Sequence, residues 1–363
     1  MSVFSNWFRP SLVGIDIGTF SVKAVELSVQ TPPRVLAYNR IVLPPDTLTV
    51  DGEVRNPDSI VEALRRLFAQ RIFTGKRVAF GVGGNALHLK KLSVPRMSRK
   101  DFANHLYWEA EQYIALPIQD VHIDFEILGT AVPKKGFEDA PQKPMMEVIL
   151  VAAKRDYIRQ LKRMARDANL TLEIVDTEAF ALSNVFEFNY AHSLPHRLAA
   201  HLILDIGASG SRAMVVTQGH GIFLQRIPLG AASITKSVAA AQGISEVEAE
   251  LLKVTNPNNA AVMAANLQFL DELKSKLALT MEGYLSQDLN RAIKAIYCCG
   301  GGSLVPGLLR HLTVSFGLPT AILNPIHSLS GSGSKLPVGA RAEIVHYGAI
   351  ACGLSLRGVT PEK

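Results

Sequence analysis

Two short stretches of this chain place an aspartate and a glycine at the end of an apolar run. The first, GIDIGTFSVK, covers Gly14–Lys23, and the second, LDIGASGSR, covers Leu204–Arg212. In each, the glycine permits a turn whose backbone N–H groups point inward, and small hydroxyl residues follow; such turns bind phosphate oxygens. Because bare phosphate would repel Asp16 and Asp205, these carboxylates make chemical sense near a cation. Mg²⁺ prefers such ligands and keeps much of its water.

Lys23 adds a positive charge to the first stretch. It lies seven residues beyond Asp16 and can return along the next strand to face the phosphates as a point charge. An ordinary strand-ending turn would also explain a single Asp-x-Gly. Two copies in opposite halves of the chain, each after a buried strand, favour a pair of phosphate loops.

A third glycine cluster, Gly300–Gly302, follows the apolar run KAIYCC and precedes Ser303. Glycines at a strand-to-helix turn let a flat ring approach the backbone and direct the helix N-terminus toward negative charge. We therefore expect a positive φ at Gly301 and room beside it for a nucleoside. A Walker A loop is excluded because no G-x-x-x-x-G-K-[ST] is present, and no G-x-G-x-x-G opens the first helix as a Rossmann site requires.

The first part of the chain, up to about residue 91, alternates between predicted strands and helices. Val35–Leu43 and Arg77–Gly83 are typical of strands, and they flank a helix that Asn56 can cap, with Pro57 at its first position. This pattern predicts an α/β domain that ends its first strand at the first Asp-Gly turn.

The next segment has its own pattern. A helix is predicted from Ser98 to the stop at Leu116-Pro117, and HIDFEILG then alternates apolar and acidic residues, as in a strand with one solvated face. The polar stretch TAVPKKGFEDAPQKP predicts a hairpin tip. The strand MMEVILVAAK, the helix RDYIRQLKRMARDAN and the strand LEIVD complete the segment.

The second half opens with three apolar runs separated by glycine turns. HLILDIG, SRAMVVTQG and GIFLQRIPLG predict three consecutive antiparallel strands. Helices are predicted at Ser233–Ala241, at Ser245–Val254 and at about 262–291. A strand then leads into the glycine cluster, and we expect a helix directly after Ser303.

Composition limits the class of protein. The 363 residues, 48% hydrophobic and 19% charged, suit two globular domains. The net charge of +6 fits an anionic ligand or surface, but the positive charges are scattered in pairs, which gives little support to nucleic-acid binding. Cys298, Cys299 and Cys352 lack metal-ligand spacing, and neither a signal peptide nor a run of ~20 apolar residues is present. We expect a cytoplasmic protein.

The order of two Asp-Gly turns and a Gly-Gly turn resembles the superfamily of actin, heat-shock chaperones and sugar kinases, whose two half-domains close on ATP. VDTEAFAL resembles the connector between the halves, AELLK the helix that reaches the nucleoside, and HYGAIACGLSLRG the closing connector helix. EAEQYIALPIQDVHIDFEILG, VILVAAKRDYIRQL and GLPTAILNPI are similar to the PilM family within the FtsA/PilM branch. That family supplies the cytoplasmic actin-like component of type IV pilus machines.

The resemblance implies an actin-like α/β fold with two related halves around a nucleotide cleft and an FtsA/PilM-type inserted subdomain. It divides the chain into 1–91 with 173–200 as the first half, 92–172 as the insertion, 201–342 as the second half and 343–363 as a closing helix that returns to the first half. It also implies ATP and Mg²⁺ as ligands.

The resemblance assigns site residues as well. The first phosphate motif falls on Asp16, Gly18, Thr19, Ser21 and Lys23; the second on Asp205, Gly207, Ala208 and Ser209; the adenosine motif on Gly301, Gly302 and Ser303, with Glu250 and Lys253 facing the nucleoside. Asp16 and Asp205 are the expected metal ligands. Glu178 occupies the position where hydrolysing relatives orient water, and the alternative is a residue that caps its own helix. An ordinary solvated pair is the alternative for Glu250 and Lys253.

Two functions remain open at this stage. The chain is either a nucleotide-binding scaffold with little turnover, or an enzyme such as a brisk ATPase or small-molecule kinase; an FtsA-like cell-division protein is a further alternative. No Asp is placed to deprotonate a sugar hydroxyl, and the PilM-like stretches favour the scaffold. The end RGVTPEK is short and mostly polar, so we do not expect the amphipathic membrane helix that FtsA carries there.

The resemblance also implies partners. These are the N-terminal cytoplasmic peptide of the inner-membrane protein PilN and, less directly, the pilus motor ATPases, with no nucleic acid; the protein would sit peripherally at the inner membrane through its partners. Tyr107, Trp108 and Tyr113, near Leu116, are candidate anchors of a peptide groove, since aromatic residues often anchor such grooves. The alternative is that these rings form the core of the inserted subdomain.

Overall fold

Three β-sheets organise the part of the chain that the computed structural model describes, which is residues 11–114, 116–130, 144–191, 199–217, 220–287, 292–329, 336 and 338–359. Two five-stranded sheets carry the Asp-Gly turns, and the strands of a three-stranded sheet lie in the chain between the fourth and the last strand of the first. The sheets matter for function because they fix which strand ends meet.

The first sheet has the order β3-β2-β1-β4-β8. Its strands are β1 (Val13–Ile17), β2 (Ser21–Leu27), β3 (Val35–Val42), β4 (Arg77–Val82) and β8 (Thr171–Thr177), and helices α1 (Pro57–Ala69) and α3 (Arg155–Asp167) belong to the same core. β1, β2 and β3 form an antiparallel meander, whereas β4 and β8 run parallel to β1. The predicted start of α1 is confirmed, because Asn56 Oδ1 accepts a hydrogen bond from Ser59 N at 3.2 Å and Pro57 follows the cap.

The three-stranded sheet has the order β5-β7-β6 and a core of its own. Its elements are β5 (Leu87–Pro95), α2 (Arg99–Tyr113), β6 (Val121–Thr130) and β7 (Met145–Lys154). The predicted alternation in β6 is confirmed: Ile123, Phe125 and Ile127 pack against that core, while Asp124 and Glu126 are exposed. β6 and β7 pair antiparallel, and the predicted hairpin tip between them lies outside the described residues.

The second five-stranded sheet has the order β11-β10-β9-β12-β13. Its strands are β9 (Ala200–Ile206), β10 (Ser211–Thr217), β11 (His220–Ile227), β12 (Ile293–Cys299) and β13 (Thr320–Ile322), with helices α5 (Ala232–Gln242), α6 (Glu246–Thr255), α7 (Ala260–Gln287) and α8 (Leu308–Phe316). The predicted meander β9-β10-β11 is confirmed, and β12 pairs parallel to β9. The second sheet therefore repeats the arrangement of the first.

Three further helices join the two five-stranded sheets. They are α4 (Glu178–Tyr190), α9 (Ala340–Tyr347) and α10 (Ala349–Leu356). One buried cluster contains Leu182 of α4, Ile203 of the second sheet and Leu354 of α10. α10 packs so closely on α4 that a Cβ on Gly353 would lie 1.9 Å from Ala181 O. The two sheets thus share a continuous core behind the strand ends that carry the Asp-Gly turns.

One predicted helix start is wrong. Gly301–Leu304 form a short 3₁₀ turn, and α8 begins at Leu308 rather than directly after Ser303. Val305 precedes Pro306, and a residue before proline avoids the α conformation, while Gly307 has a φ of +82°. The N-terminus of α8 is therefore displaced from the glycine cluster.

Candidate functional site

The first Asp-Gly turn joins β1 and β2, in which Asp16 and Lys23 are directly paired. Gly18 N donates to Ser21 O at 3.1 Å and closes the turn. Lys23 Nζ lies 3.0 Å from Asp16 Oδ2, and a Cβ on Gly18 would come within 2.7 Å of that ammonium. The lack of a side chain at Gly18 lets the lysine lie over the turn.

The second Asp-Gly turn joins β9 and β10 with the same register. Asp205 pairs with Arg212, and Gly207 N donates to Gly210 O at 3.0 Å. Arg212 Nε lies 3.5 Å from Asp205 Oδ2, and Arg212 Nη1 contacts Glu178 Oε2. Sequence reasoning did not select Arg212 as a site residue, although it follows Asp205 by the same seven positions that separate Lys23 from Asp16. That repeated spacing is the signal that would have found it.

The two turns meet across the space between the sheets. Thr19 Oγ1 of the first turn donates to Ser209 Oγ of the second at 3.1 Å. Ser209 Oγ in turn donates to Val50 O at 3.3 Å. Hydroxyl groups of two distant chain segments are thus brought together, whereas Ser21, also assigned to the first motif, is buried.

Glu178 enters this site as the first residue of α4. The helix cap is Thr177, whose hydroxyl accepts from Phe180 N at 2.9 Å, so Glu178 is not the capping residue. Its carboxylate lies against the end of β4, because a Cβ on Gly83 would be 2.1 Å from Glu178 Oε2. Glu178 is therefore held between the first sheet and Arg212 of the second.

The pKa values of the site carboxylates reflect their burial. Burial raises the pKa of Glu178; Arg212 opposes this rise, and the negative charges of Asp16 and Asp205 add to it. Burial likewise raises the pKa of Asp205, with Arg212 again opposing. A bound cation would offset the negative charges of Asp16 and Asp205 that raise the pKa of Glu178. The described residues contain no group of three or more His, Cys, Asp or Glu side chains that could hold a metal ion by themselves.

The glycine cluster follows β12 beside Asp205. Gly300, not Gly301, has the positive φ, +79°, and a Cβ there would lie 2.4 Å from Ile206 O and 2.5 Å from Asp205 Oδ1. A Cβ on Gly301 would meet the Tyr347 ring at 3.1 Å, so the expectation of a positive φ and open space at this residue is wrong. The reason is that α9 returns over the turn.

The neighbours of Gly301 are also packed. A Cβ on Gly302 would lie 2.1 Å from Ile206 Cγ2, and Ser303 Oγ lies 3.1 Å from His346 Nδ1. The guanidinium of Arg40 lies over the ring of Tyr347, with its Cζ 4.1 Å from the ring centroid. The lack of side chains on these glycines therefore allows β9 and α9 to pack closely against the turn.

Glu250 and Lys253 form a network with Thr235 of α5. Lys253 Nζ donates to Glu250 Oε2 at 2.7 Å and to Thr235 Oγ1 at 2.8 Å, and Thr235 Oγ1 donates to Glu250 Oε2 at 2.5 Å. Burial raises the pKa of Glu250, but the hydrogen bonds from Lys253 and Thr235 outweigh it and lower the pKa overall. These residues are more than a solvated surface pair, since they link α5 to α6.

α5 also connects this network to the second turn. Ala231 N, at its start, donates to Gly207 O at 2.9 Å, and Ala232 N donates to Ala208 O at 2.9 Å. Thr235 follows one turn of helix later. The residues assigned to the phosphates and to the nucleoside thus share one rigid support.

The candidate peptide anchors are only partly described. Tyr113 and Leu116 pack against the core of the three-stranded sheet, which agrees with the alternative that the aromatic residues form that core. The side chains of Tyr107 and Trp108 lie outside the described residues.

The cysteines and the helices add two findings. Cys298, Cys299 and Cys352 are free and buried, and Cys299 Sγ lies 3.8 Å from Asp205 Oδ1.

Among the residues described, no helix has the length and apolar character needed to cross a membrane.

Two repeated sheets joined by connector helices, with strand-end turns that face each other, define the actin-like ATPase fold. The ethanolamine utilization protein EutJ from Carboxydothermus hydrogenoformans shares it, with a TM-score of 0.53 and 16% identity over 96% of this chain and 89% of EutJ. Residues 14–359 match the model of the type IV pilus assembly protein PilM, and the chain belongs to that family. The predicted fold class and family are confirmed.

Two more relatives sharpen the comparison. A solved PilM-PilN type IV pilus biogenesis complex matches with a TM-score of 0.82 and 26% identity over 97% of this chain and 100% of that chain. Cell division protein FtsA of Bacillus subtilis (strain 168) is 22% identical over 262 residues, 66% of this chain and 57% of FtsA. The chain therefore spans less than two thirds of the length of that FtsA.

Proposed function

We propose that this chain is an ATP-binding scaffold of the type IV pilus assembly platform that captures the cytoplasmic N-terminal tail of PilN and is held at the inner membrane by it. The observation that carries the proposal is the similarity over nearly the whole chain to a PilM-PilN complex. The converging turns support the ATP part of the proposal.

The residues at the turns fit a triphosphate and its metal ion. Lys23 and Arg212 supply positive charge, Thr19 and Ser209 supply hydroxyl donors, and both turns contain glycines close to the backbone. Asp16 and Asp205 would hold Mg²⁺ in part through its waters, as this ion prefers. Bound ATP would contact both turns and hold the two halves of the protein in a closed arrangement.

The nucleoside would lie between the network of Thr235, Glu250 and Lys253 and the turn at Gly301–Ser303. The support is that α5 joins that network to the second phosphate turn. Because Gly301 faces Tyr347, a substitution there would also disturb α9. Glu250 and Lys253 are therefore the cleaner residues to change in a test of nucleoside binding.

Hydrolysis is proposed to be weak. A steady-state assay of ATP turnover, with and without sugars or acetate as acceptors, separates this scaffold from a brisk ATPase or a small-molecule kinase. Turnover that is slow and unchanged by acceptors agrees with the scaffold, whereas acceptor-dependent turnover contradicts it.

The packing suggests where an inserted subdomain begins and ends. Its buried cluster draws on residues from Leu92 to Ala152, while Leu161 and Met164 of α3 belong to the core of the first sheet with α1. A deletion of 92–172 would thus also remove α3, which packs in the core of the first sheet, and the first two residues of β8. We propose 87–154 as the peptide-binding unit.

The register of this unit gives a direct test of peptide capture. Leu87 of β5 pairs with Ala153 of β7, so the ends of the unit lie side by side and a Gly-Ser turn can replace 88–152. A fluorescent peptide of the PilN cytoplasmic N-terminus should bind the full chain with micromolar affinity, since the peptide orders as it binds. The shortened chain should lose the peptide but retain ATP. Peptide binding that survives the replacement would place the groove elsewhere.

A further inference from the structure

Arg212 links the second sheet to helix α4. It lies on β10 of the second sheet, its Nη1 contacts Glu178 Oε2 of α4, and its Nε lies 3.5 Å from Asp205 Oδ2. We propose that Arg212 is a positioning residue that holds the Glu178 carboxylate in an ion pair and thereby keeps bound ATP from being hydrolysed. This inference rests on the proposed ATP site.

The surroundings of Glu178 leave its carboxylate few other arrangements. The side chain of Glu178 is 13% exposed, and the backbone at Gly83 lies so close that a Cβ there would overlap Glu178 Oε2. A Cβ on Gly81 would lie 3.0 Å from Glu178 Cγ. With β4 on one side and the guanidinium on the other, the carboxylate is fixed toward Arg212.

An ion-paired carboxylate is a poor base. Hydrolysis adds the oxygen of water to the terminal phosphorus, breaks the bond from that phosphorus to the bridging oxygen of ADP, and releases a proton that a nearby base can accept. A guanidinium in an ion pair offsets the negative charge that such a base needs to accept a proton. Glu178, to which the resemblance assigns the orientation of water, would therefore be withheld from that role while Arg212 holds it.

Arg226 provides a matched control. It is also an arginine of the second sheet that reaches the first half, since its Nη1 lies 2.7 Å from Asp51 Oδ1 and its Nη2 donates to Val50 O at 2.8 Å. Its contacts lie on the loop after β3 and do not include Glu178. Arg226→Gln removes the same charge and a link between the halves without changing the carboxylate.

The first test uses the protein without nucleotide. Arg212→Gln, Glu178→Gln and the double variant are compared with the wild type by thermal melting. If the two side chains are a pair, the double variant should melt near Arg212→Gln alone. Shifts that add for the two substitutions would overturn the ion pair, whether or not ATP binds.

The second test measures single-turnover hydrolysis at ATP concentrations that calorimetry shows to be saturating for each variant. Arg212→Gln should hydrolyse ATP at least about tenfold faster, a modest part of the roughly 100-fold or more that a well-placed general base contributes. Adding Glu178→Gln should return the rate to that of the wild type, and Arg226→Gln should leave it unchanged. An unchanged rate in Arg212→Gln with ATP bound, or a faster rate that persists in the double variant, would overturn the proposal.

A conservative variant covers the case in which Arg212→Gln does not fold. Arg212→Lys keeps the charge but replaces the planar fork with one ammonium, so it cannot contact Glu178 and Asp205 with the same geometry. It should raise the rate by a smaller factor, again only while Glu178 is present, and a rate equal to the wild type would count against the proposal. Failure of the wild type to bind ATP would instead remove the proposed function, while the melting test still decides the ion pair.

Discussion

The two Asp-Gly hairpins have the same register and different electrostatic roles. In the first, Lys23 pairs with the aspartate that faces it, Asp16, at 3.0 Å. In the second, Arg212 faces Asp205 in the same way but also contacts Glu178 of α4. The difference follows from the side chains, because an ammonium acts as a point charge whereas a guanidinium can serve two carboxylates. The first hairpin therefore makes an ion pair within itself, whereas the second also ties α4 to the second sheet.

The largest expected difference is in stability. Arg212→Ala should lower the free energy of unfolding by about 3 kcal/mol, since it leaves both Glu178 and Asp205 buried without their cation. Lys23→Ala leaves one carboxylate and should cost about 1.5 kcal/mol. Urea denaturation of both variants at pH 7 measures the two values. Equal losses would mean that the hairpins are equivalent and that Arg212 does not hold Glu178.

The glycines behind the two hairpins should differ next. Gly300→Ala is expected to cost about 2 kcal/mol, because it combines a positive φ with a Cβ 2.4 Å from the backbone oxygen of Ile206. Gly83→Ala would instead meet the Glu178 carboxylate, but Gly83 has an extended φ of −149° that alanine adopts readily, so the substitution should cost about 1 kcal/mol. Urea denaturation compares them.

Gly243→Ala is the control for the backbone conformation alone, since Gly243 has a φ of +65° with nothing within 4 Å of its Cβ position. A loss in Gly300→Ala no greater than in Gly243→Ala would show that the close approach to β9 carries no cost.

The smallest expected effect concerns the strands that lead into the hairpins. Four residues before its aspartate, the first copy has the buried Leu12, whereas the second has His201, buried against the rings of Phe186 and Tyr297. Burial lowers the pKa of His201. Its stabilising contribution is therefore complete above its unfolded pKa of about 6.5 and is lost as the pH falls through the lower, folded pKa.

His201→Leu should make the second copy resemble the first and reduce the loss of stability between pH 7.5 and 5.5. Urea denaturation at the two pH values measures this. His122 and His346 also have pKa values lowered by burial, so some dependence on pH should remain. A variant with the same pH dependence as the wild type would show that His201 is not the group that titrates.

Sequence patterns predicted much of this architecture because it depends on local chemistry. The Asn56 cap, the alternation in β6 and the meander of the second half follow from residue types and spacing, and the structure has all three. The start of α8 was misplaced because the proline and glycine after the cluster outweighed the apolar pattern. The position at which α8 begins is therefore set by this proline and glycine and not by the apolar pattern.

The site was harder to predict for a related reason. The sequence located both turns, yet it assigned the positive φ to Gly301. The residue with the positive φ is Gly300, and this becomes clear only from the close packing of β9 against the turn. Sequence reasoning also passed over Arg212, whose contact with Glu178 joins β10 of the second sheet to helix α4. Such contacts depend on how the two halves are set together, which no local pattern records.

The measurement that tests the central claim most directly is calorimetry of ATP with Mg²⁺ binding to the wild type, Asp16→Asn and Asp205→Asn, with the exposed Asp271→Asn as the control. If the two hairpins form one phosphate clamp, each of the first two variants should bind at least about tenfold more weakly, as expected for the loss of a charged contact. The control should bind like the wild type. Unaltered affinity in both Asp16→Asn and Asp205→Asn would contradict the clamp.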